Sequence, residues 1–69
     1  MNEMTVVVNG ETRTIAGPAT VADLLAQLSL DPRMVVVELN REIIRRQRVG
    51  EVRLRDGDSI ELVHFVGGG

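Results

Sequence analysis

The sequence predicts an α+β roll: a mixed sheet with one amphipathic helix packed across one face, in the order β-β-α-β-β-β. Three observations carry that prediction. Two β-type runs meet at Asn9-Gly10, the dipeptide best suited to a tight hairpin because both turn positions tolerate positive φ. A single apolar stripe, Val21, Leu24, Leu25 and Leu28, follows at helical spacing. Three more strand-like runs complete the chain, with no repeat or linker between them. At 69 residues the apolar side chains suffice for one core. The expected organisation is therefore a single domain over residues 1–66 and a glycine tail over 67–69.

Each element has a local cause. Met4 to Val8 is β-branched and apolar, and Glu11 to Ala16 alternates polar and apolar side chains, so the two form the first hairpin. Gly17-Pro18 ends the second run, since proline donates no hydrogen bond to a ladder. Thr20 can cap a helix, and Asp23 suits its positive end. The helix spans two to three turns and stops at Asp31-Pro32. Met34 to Leu39, with three successive valines, reads as a strand buried on both faces or close to it. Asn40-Arg41 is a turn and Glu42-Ile43-Ile44 a short strand. Arg45 to Val52 is irregular, with Val49, Val52 and Leu54 as anchors beneath a loop. Asp56-Gly57-Asp58 turns the chain into a last strand, Ser59 to Phe65, with Ile60 and Leu62 on one face.

Composition narrows the function. The chain is 43% hydrophobic and 26% charged, with a net charge of −2, which is the balance of a folded soluble domain. Zero cysteine removes disulfides and thiolate metal sites, and one histidine leaves a structural zinc without ligands. Asp56 and Asp58 on one turn fall short of what calcium needs, so no metal site is expected. No apolar run approaches the roughly 20 residues of a membrane span. Met1-Asn2-Glu3 shows no signal-peptide pattern, so the expected location is the cytoplasm. An enzyme is also unexpected. A domain this small has difficulty walling a pocket, and His64 is the single imidazole, with no nucleophile framed beside it.

Chemistry points to the end of the chain. Gly67-Gly68-Gly69 adds nothing to a sheet and reads as an extended arm about 10 Å long. Without Cβ atoms such an arm fits a narrow slot and leaves the α-carboxylate of Gly69 unhindered for attack on a phosphoryl group. Taken alone, three glycines favour a frayed end or an appended linker over a functional arm.

The surrounding sequence decides between them. Val8-Asn9-Gly10-Glu11, Thr20-Val21-Ala22-Asp23-Leu24-Leu25 and Val36-Val37-Glu38-Leu39-Asn40 with Ile43-Ile44 occur in this order. Arg55-Asp56-Gly57-Asp58-Ser59-Ile60-Glu61-Leu62-Val63 and His64-Phe65-Val66-Gly67-Gly68-Gly69 complete the series. Together they resemble the ubiquitin-like β-grasp sulfur carriers, most closely the ThiS type of thiamine biosynthesis, essentially end to end. The one departure is a third glycine beside the family's minimal terminal pair.

That resemblance implies a substrate protein rather than a catalyst. A ubiquitin-activating-type adenylyltransferase, using ATP and Mg²⁺ that this chain does not itself bind, converts the Gly69 carboxylate to an acyl-adenylate. Sulfur from a cysteine desulfurase replaces AMP, and the resulting thiocarboxylate supplies thiazole synthase. Gly67 and Gly68 are then the threading tail. A molybdopterin-synthase-type carrier, or a small β-grasp protein- or RNA-binding module with an incidental tail, are the alternatives.

Three further features bear on partners. Period two places Val63 and Phe65 opposite Ile60 and Leu62, so Val63, Phe65 and Val66 are candidates for partner docking, with edge packing as the other role open to Phe65. Six of the eight arginines lie between Arg41 and Arg55 against Glu42 and Glu51, a basic patch suited to an acidic surface or simply to solvent. The negative net charge and the single aromatic residue argue against nucleic acid. All basic side chains are arginine, so no lysine amine stands ready to capture an activated terminus.

Overall fold

The protein is described by a computed structural model covering residues 2–65. Strands β1 (Asn2–Val8) and β2 (Glu11–Gly17) form the hairpin, followed by helix α1 (Val21–Gln27). After a 3-10 turn at Pro32–Met34 come β3 (Val35–Leu39) and β4 (Glu42–Ile44). A second 3-10 turn at Arg46–Arg48 precedes β5 (Ser59–His64). The five strands make one sheet in the order β2-β1-β5-β3-β4, so the last strand in the chain is the central one. It runs parallel to β1 and antiparallel to β3, which makes the sheet mixed. The predicted α+β roll and its element order are what the chain adopts.

The hairpin turns where the Asn-Gly signal lies. Asn9 and Gly10 have φ of 51° and 83°, and the ladder pairs Val8 with Glu11 and Asn2 with Gly17. Asn40 and Arg41, at φ 50° and 74°, repeat that geometry between β3 and β4. Both turns match the twist of the strands they join.

Helix α1 starts as the sequence indicates. The Asp23 N–H donates to Thr20 Oγ1 (3.2 Å) and the Thr20 N–H donates to Asp23 Oδ2 (2.8 Å), a reciprocal cap. The loop before β5 satisfies more of its first turn, because the Val21 and Ala22 N–H groups donate to the carbonyls of Val52 and Val49. Val21, Leu24 and Leu25 are fully buried against Val6, Val8, Val37, Ile60 and Leu62. Leu28 is only partly buried, at the end of the stripe.

Two expectations are corrected. The helix stops before Asp31-Pro32: Ser29 takes φ 57°, and the Ser29 and Leu30 N–H groups donate to the carbonyls of Ala26 and Leu25. That left-handed residue closes the last turn, and Asp31-Pro32 opens the 3-10 turn instead. Strand β3 is buried on one face only. Val35 and Val37 face the helix, whereas Val36 is 38% exposed. One short helix covers one face of the sheet, so a run of valines here does not mean two covered faces. The predicted loop anchors are in place, with Val49 and Leu54 buried and Val52 packed against the core.

Candidate functional site

Strand β5 delivers the chain to its glycine end. Ile60 and Leu62 are buried beneath α1, and the strand is held on both edges. On the β1 side, the Val7 N–H donates to the Asp58 carbonyl and the Asn9 N–H to the Ile60 carbonyl, each at 2.9 Å. On the β3 side, the ladder runs from Leu39↔Ile60 to Val35↔His64. It is continued by the Phe65 N–H donating to the Met34 carbonyl at 3.0 Å. The root of the tail is therefore anchored through Phe65. Val66, Gly67, Gly68 and Gly69, which the sequence singles out, lie outside the described residues.

The face of the sheet away from the helix is open. Val63 is 61% exposed and Phe65 45%, on the side that period two assigns them. Register adds neighbours that strand parity within β5 alone could not reveal. Val36 stands directly across from Val63, and Ile43 (67% exposed) stands across from Glu38. The detectable signal for both was alternation along β3 and β4, but placing Val36 beside Val63, and Ile43 in the row of Glu38 and Glu61, required the strand order. Glu38 is paired with Glu61 in the same row. Two carboxylates directly opposed on neighbouring strands repel, and neither belongs to the two ion pairs present among the described residues, Asp31–Arg33 and Arg48–Glu51. An apolar surface beside the tail root, with the Glu38–Glu61 pair at its centre and Arg41 lining the same hollow, is the arrangement these residues build.

Elsewhere the side chains offer less. His64 lies exposed at the end of β5, across from Val35. A hollow of about 420 Å³ lies at the β4 edge, lined by Leu39, Glu42, Ile44, Arg45 and Arg48 among others, without a nucleophile and base in reach of each other. Arg48 in the basic segment is engaged by Glu51 at 3.4 Å. Asp56 and Asp58 serve the turn: the Thr5 N–H donates to Asp56 and the Arg55 N–H to Asp58, each at 2.7 Å. No group of three His, Asp or Glu side chains among the described residues could hold a metal, and no described helix is long and apolar enough to cross a membrane.

Comparison with known proteins agrees with this geometry. The family model described as the ThiS family matches residues 6–69. The sulfur carrier protein ThiS of Bacillus subtilis is 56% identical over 50 residues, covering 72% of this chain and 76% of that protein. A thiazole synthase of Paramagnetospirillum magneticum is 44% identical over 66 residues. That match covers 96% of this chain but 20% of the synthase, so the chain spans about a fifth of the length of that relative. Among solved structures, the crystal structure of the thiamine biosynthesis protein ThiS from Geobacter metallireducens superposes with a TM-score of 0.81 at 36% identity. It covers 96% of this chain and 100% of that one.

Proposed function

The chain belongs to the ThiS family, and from that premise we propose that it is a sulfur carrier for thiazole formation in thiamine biosynthesis, a substrate handed between enzymes. The observation that supports this most is the placement of the tail root. The central strand, bonded on both edges, ends at Phe65 beside an apolar face on which a partner can seat, four residues before Gly69.

The chemistry proposed for Gly69 follows from its carboxylate. A carboxylate is a poor electrophile until one oxygen becomes part of a good leaving group. In an adenylyltransferase of the ubiquitin-activating type, a Gly69 oxygen attacks the α-phosphorus of ATP, and the bond to pyrophosphate breaks. A persulfide sulfur from a cysteine desulfurase then displaces AMP to give an acyl disulfide, and a thiol that cleaves its S–S bond, itself ending in a disulfide, leaves a thiocarboxylate for thiazole synthase. Gly67 and Gly68 thread the slot. Val63, Phe65 and Val66 dock, with Val36 and Ile43 widening the apolar contact. The Glu38–Glu61 row favours a partner surface that brings a guanidinium or ammonium group. Thiazole synthases of which about a fifth matches this chain support that enzyme as the acceptor, and the names of the relatives favour thiamine over molybdopterin. Exchange with such partners is the reason to propose the cytoplasm as its location.

The test is intact mass after incubation with the adenylyltransferase, ATP, Mg²⁺ and a sulfur source. Exchange of one oxygen for sulfur, located to Gly69 by fragmentation, is the expected result. An unchanged mass with an enzyme that loads a known carrier would overturn the proposal.

A further inference from the structure

We infer that Asn9 is a positioning residue for the tail, its side chain replacing the peptide group that β1 withdraws from β5. This deepens the carrier reading and rests on it. In a parallel ladder a strand residue donates its N–H to one residue of its neighbour and accepts from the residue two further on. Asn9 makes the first of these bonds, to Ile60 at 2.9 Å. It then turns into the hairpin at φ 51°, and its backbone leaves the ladder. The side-chain amide takes over: the Leu62 N–H donates to Oδ1 at 2.7 Å, and Nδ2 donates to the Leu62 carbonyl at 3.2 Å. The parallel ladder thus reaches one step beyond the end of β1, at the end of the sheet from which the tail departs.

A strand bonded along one edge can tilt away from the sheet at its end, whereas a strand bonded along both is held against that tilt. Beyond Ile60 the β3 ladder supplies one edge and Asn9 supplies the other. From Phe65 to Gly69 the chain can extend roughly 13 Å, so a tilt of about 20° about an axis across the strand would move the terminus about 4 Å. Near-attack geometry places reacting atoms about 3–3.5 Å apart, and an error of that size removes it.

The fold contains its own control. Asn40 also sits at positive φ in a two-residue turn and also bonds β5 through its side chain, accepting from the Ser59 N–H (2.9 Å) and donating to Asp58 (3.0 Å). It grips the opposite end of the strand. Asn9→Gly and Asn40→Gly each keep a turn-compatible backbone and each lose two side-chain hydrogen bonds. A purely structural role predicts the same behaviour from both.

The experiment is ATP–pyrophosphate exchange with the adenylyltransferase, at a temperature where circular dichroism shows each variant folded, alongside hydrogen exchange at the Leu62 amide. Asn9→Gly should lose Leu62 protection and lower kcat about tenfold with KM within twofold. Asn40→Gly should keep both kcat and Leu62 protection. Asn9→Asp, which keeps the acceptor and removes the donor, should fall between and serves if the glycine variant does not fold. Equal kcat for Asn9→Gly and Asn40→Gly would overturn the inference alone. No exchange with the unmodified chain would overturn the carrier reading, and the inference with it.

Discussion

Phe65 shows how one side chain divides between packing and recognition. Its backbone N–H is committed to Met34, while its ring remains 45% exposed beside Val63. Phe65→Ala should therefore destabilise the fold by less than about 2 kcal/mol, below the usual core value. It should raise KM for the adenylyltransferase about tenfold, as loss of one interface anchor does. A large shift in thermal unfolding with unchanged KM would make Phe65 a core residue. Asp31 offers a second test at this scale. Hydrogen bonds from the Arg33 side chain and backbone lower its pKa from the ordinary 3.8 to about 2. A carboxyl group with a depressed folded pKa contributes stability above pH 3.8 and loses it as pH falls through about 2. Both side chains are solvent-exposed, so the contribution is small. Carboxyl titration by NMR should show Asp31 returning towards the ordinary value in Arg33→Ala, and an unmoved titration would deny the pairing.

At the scale of elements, α1 carries the core and the sheet carries the tail. Leu24→Ala and Leu25→Ala should each cost about 2–5 kcal/mol in chemical denaturation, because both side chains are fully buried. Leu28→Ala should cost less than either, and equal losses at all three would mean the stripe is covered to its end. Glu38→Gln or Glu61→Gln should raise stability by roughly 0.2–1 kcal/mol, since each removes a repulsion across two strands. A lowered melting temperature in both would show that the pair is compensated in solution. These contrasts also show which elements were legible in the sequence. The two-residue turns, the capped helix and the inward pair Ile60–Leu62 depend on neighbours a few positions away, and the residue pattern displayed them. The helix stop at Ser29 and the open face of β3 depend on what packs where. A valine run looks the same whether one face is covered or two. Within the site, Val63 and Phe65 were legible from alternation, while Val36 and Ile43 needed the order of strands. Asn9 was legible as a turn residue and not as a partner of Leu62, which is far away in sequence.

For the molecule as a whole, the carrier reading predicts that fold and tail are separable. Removing Gly68 and Gly69 deletes no side chain from the core, so stability should change by less than about 0.5 kcal/mol. The new terminus falls roughly 7 Å short at extended spacing, which should abolish ATP–pyrophosphate exchange rather than slow it. Normal exchange with the shortened chain would remove Gly69 from the chemistry. The position of β5 has one more consequence, in the order of synthesis. The central strand is made last, and β1, made first, has its core partner only once Ser59 onward has been translated. Until then β1–β2 and β3–β4 are two hairpins with no strand between them, and the helix has no complete sheet to cover. A ribosome that stalls before Ser59 releases an unfolded chain, the substrate of proteases. The polypeptide cannot close its core without first making the strand that leads to the glycines, so a compact molecule is one synthesised at least through β5.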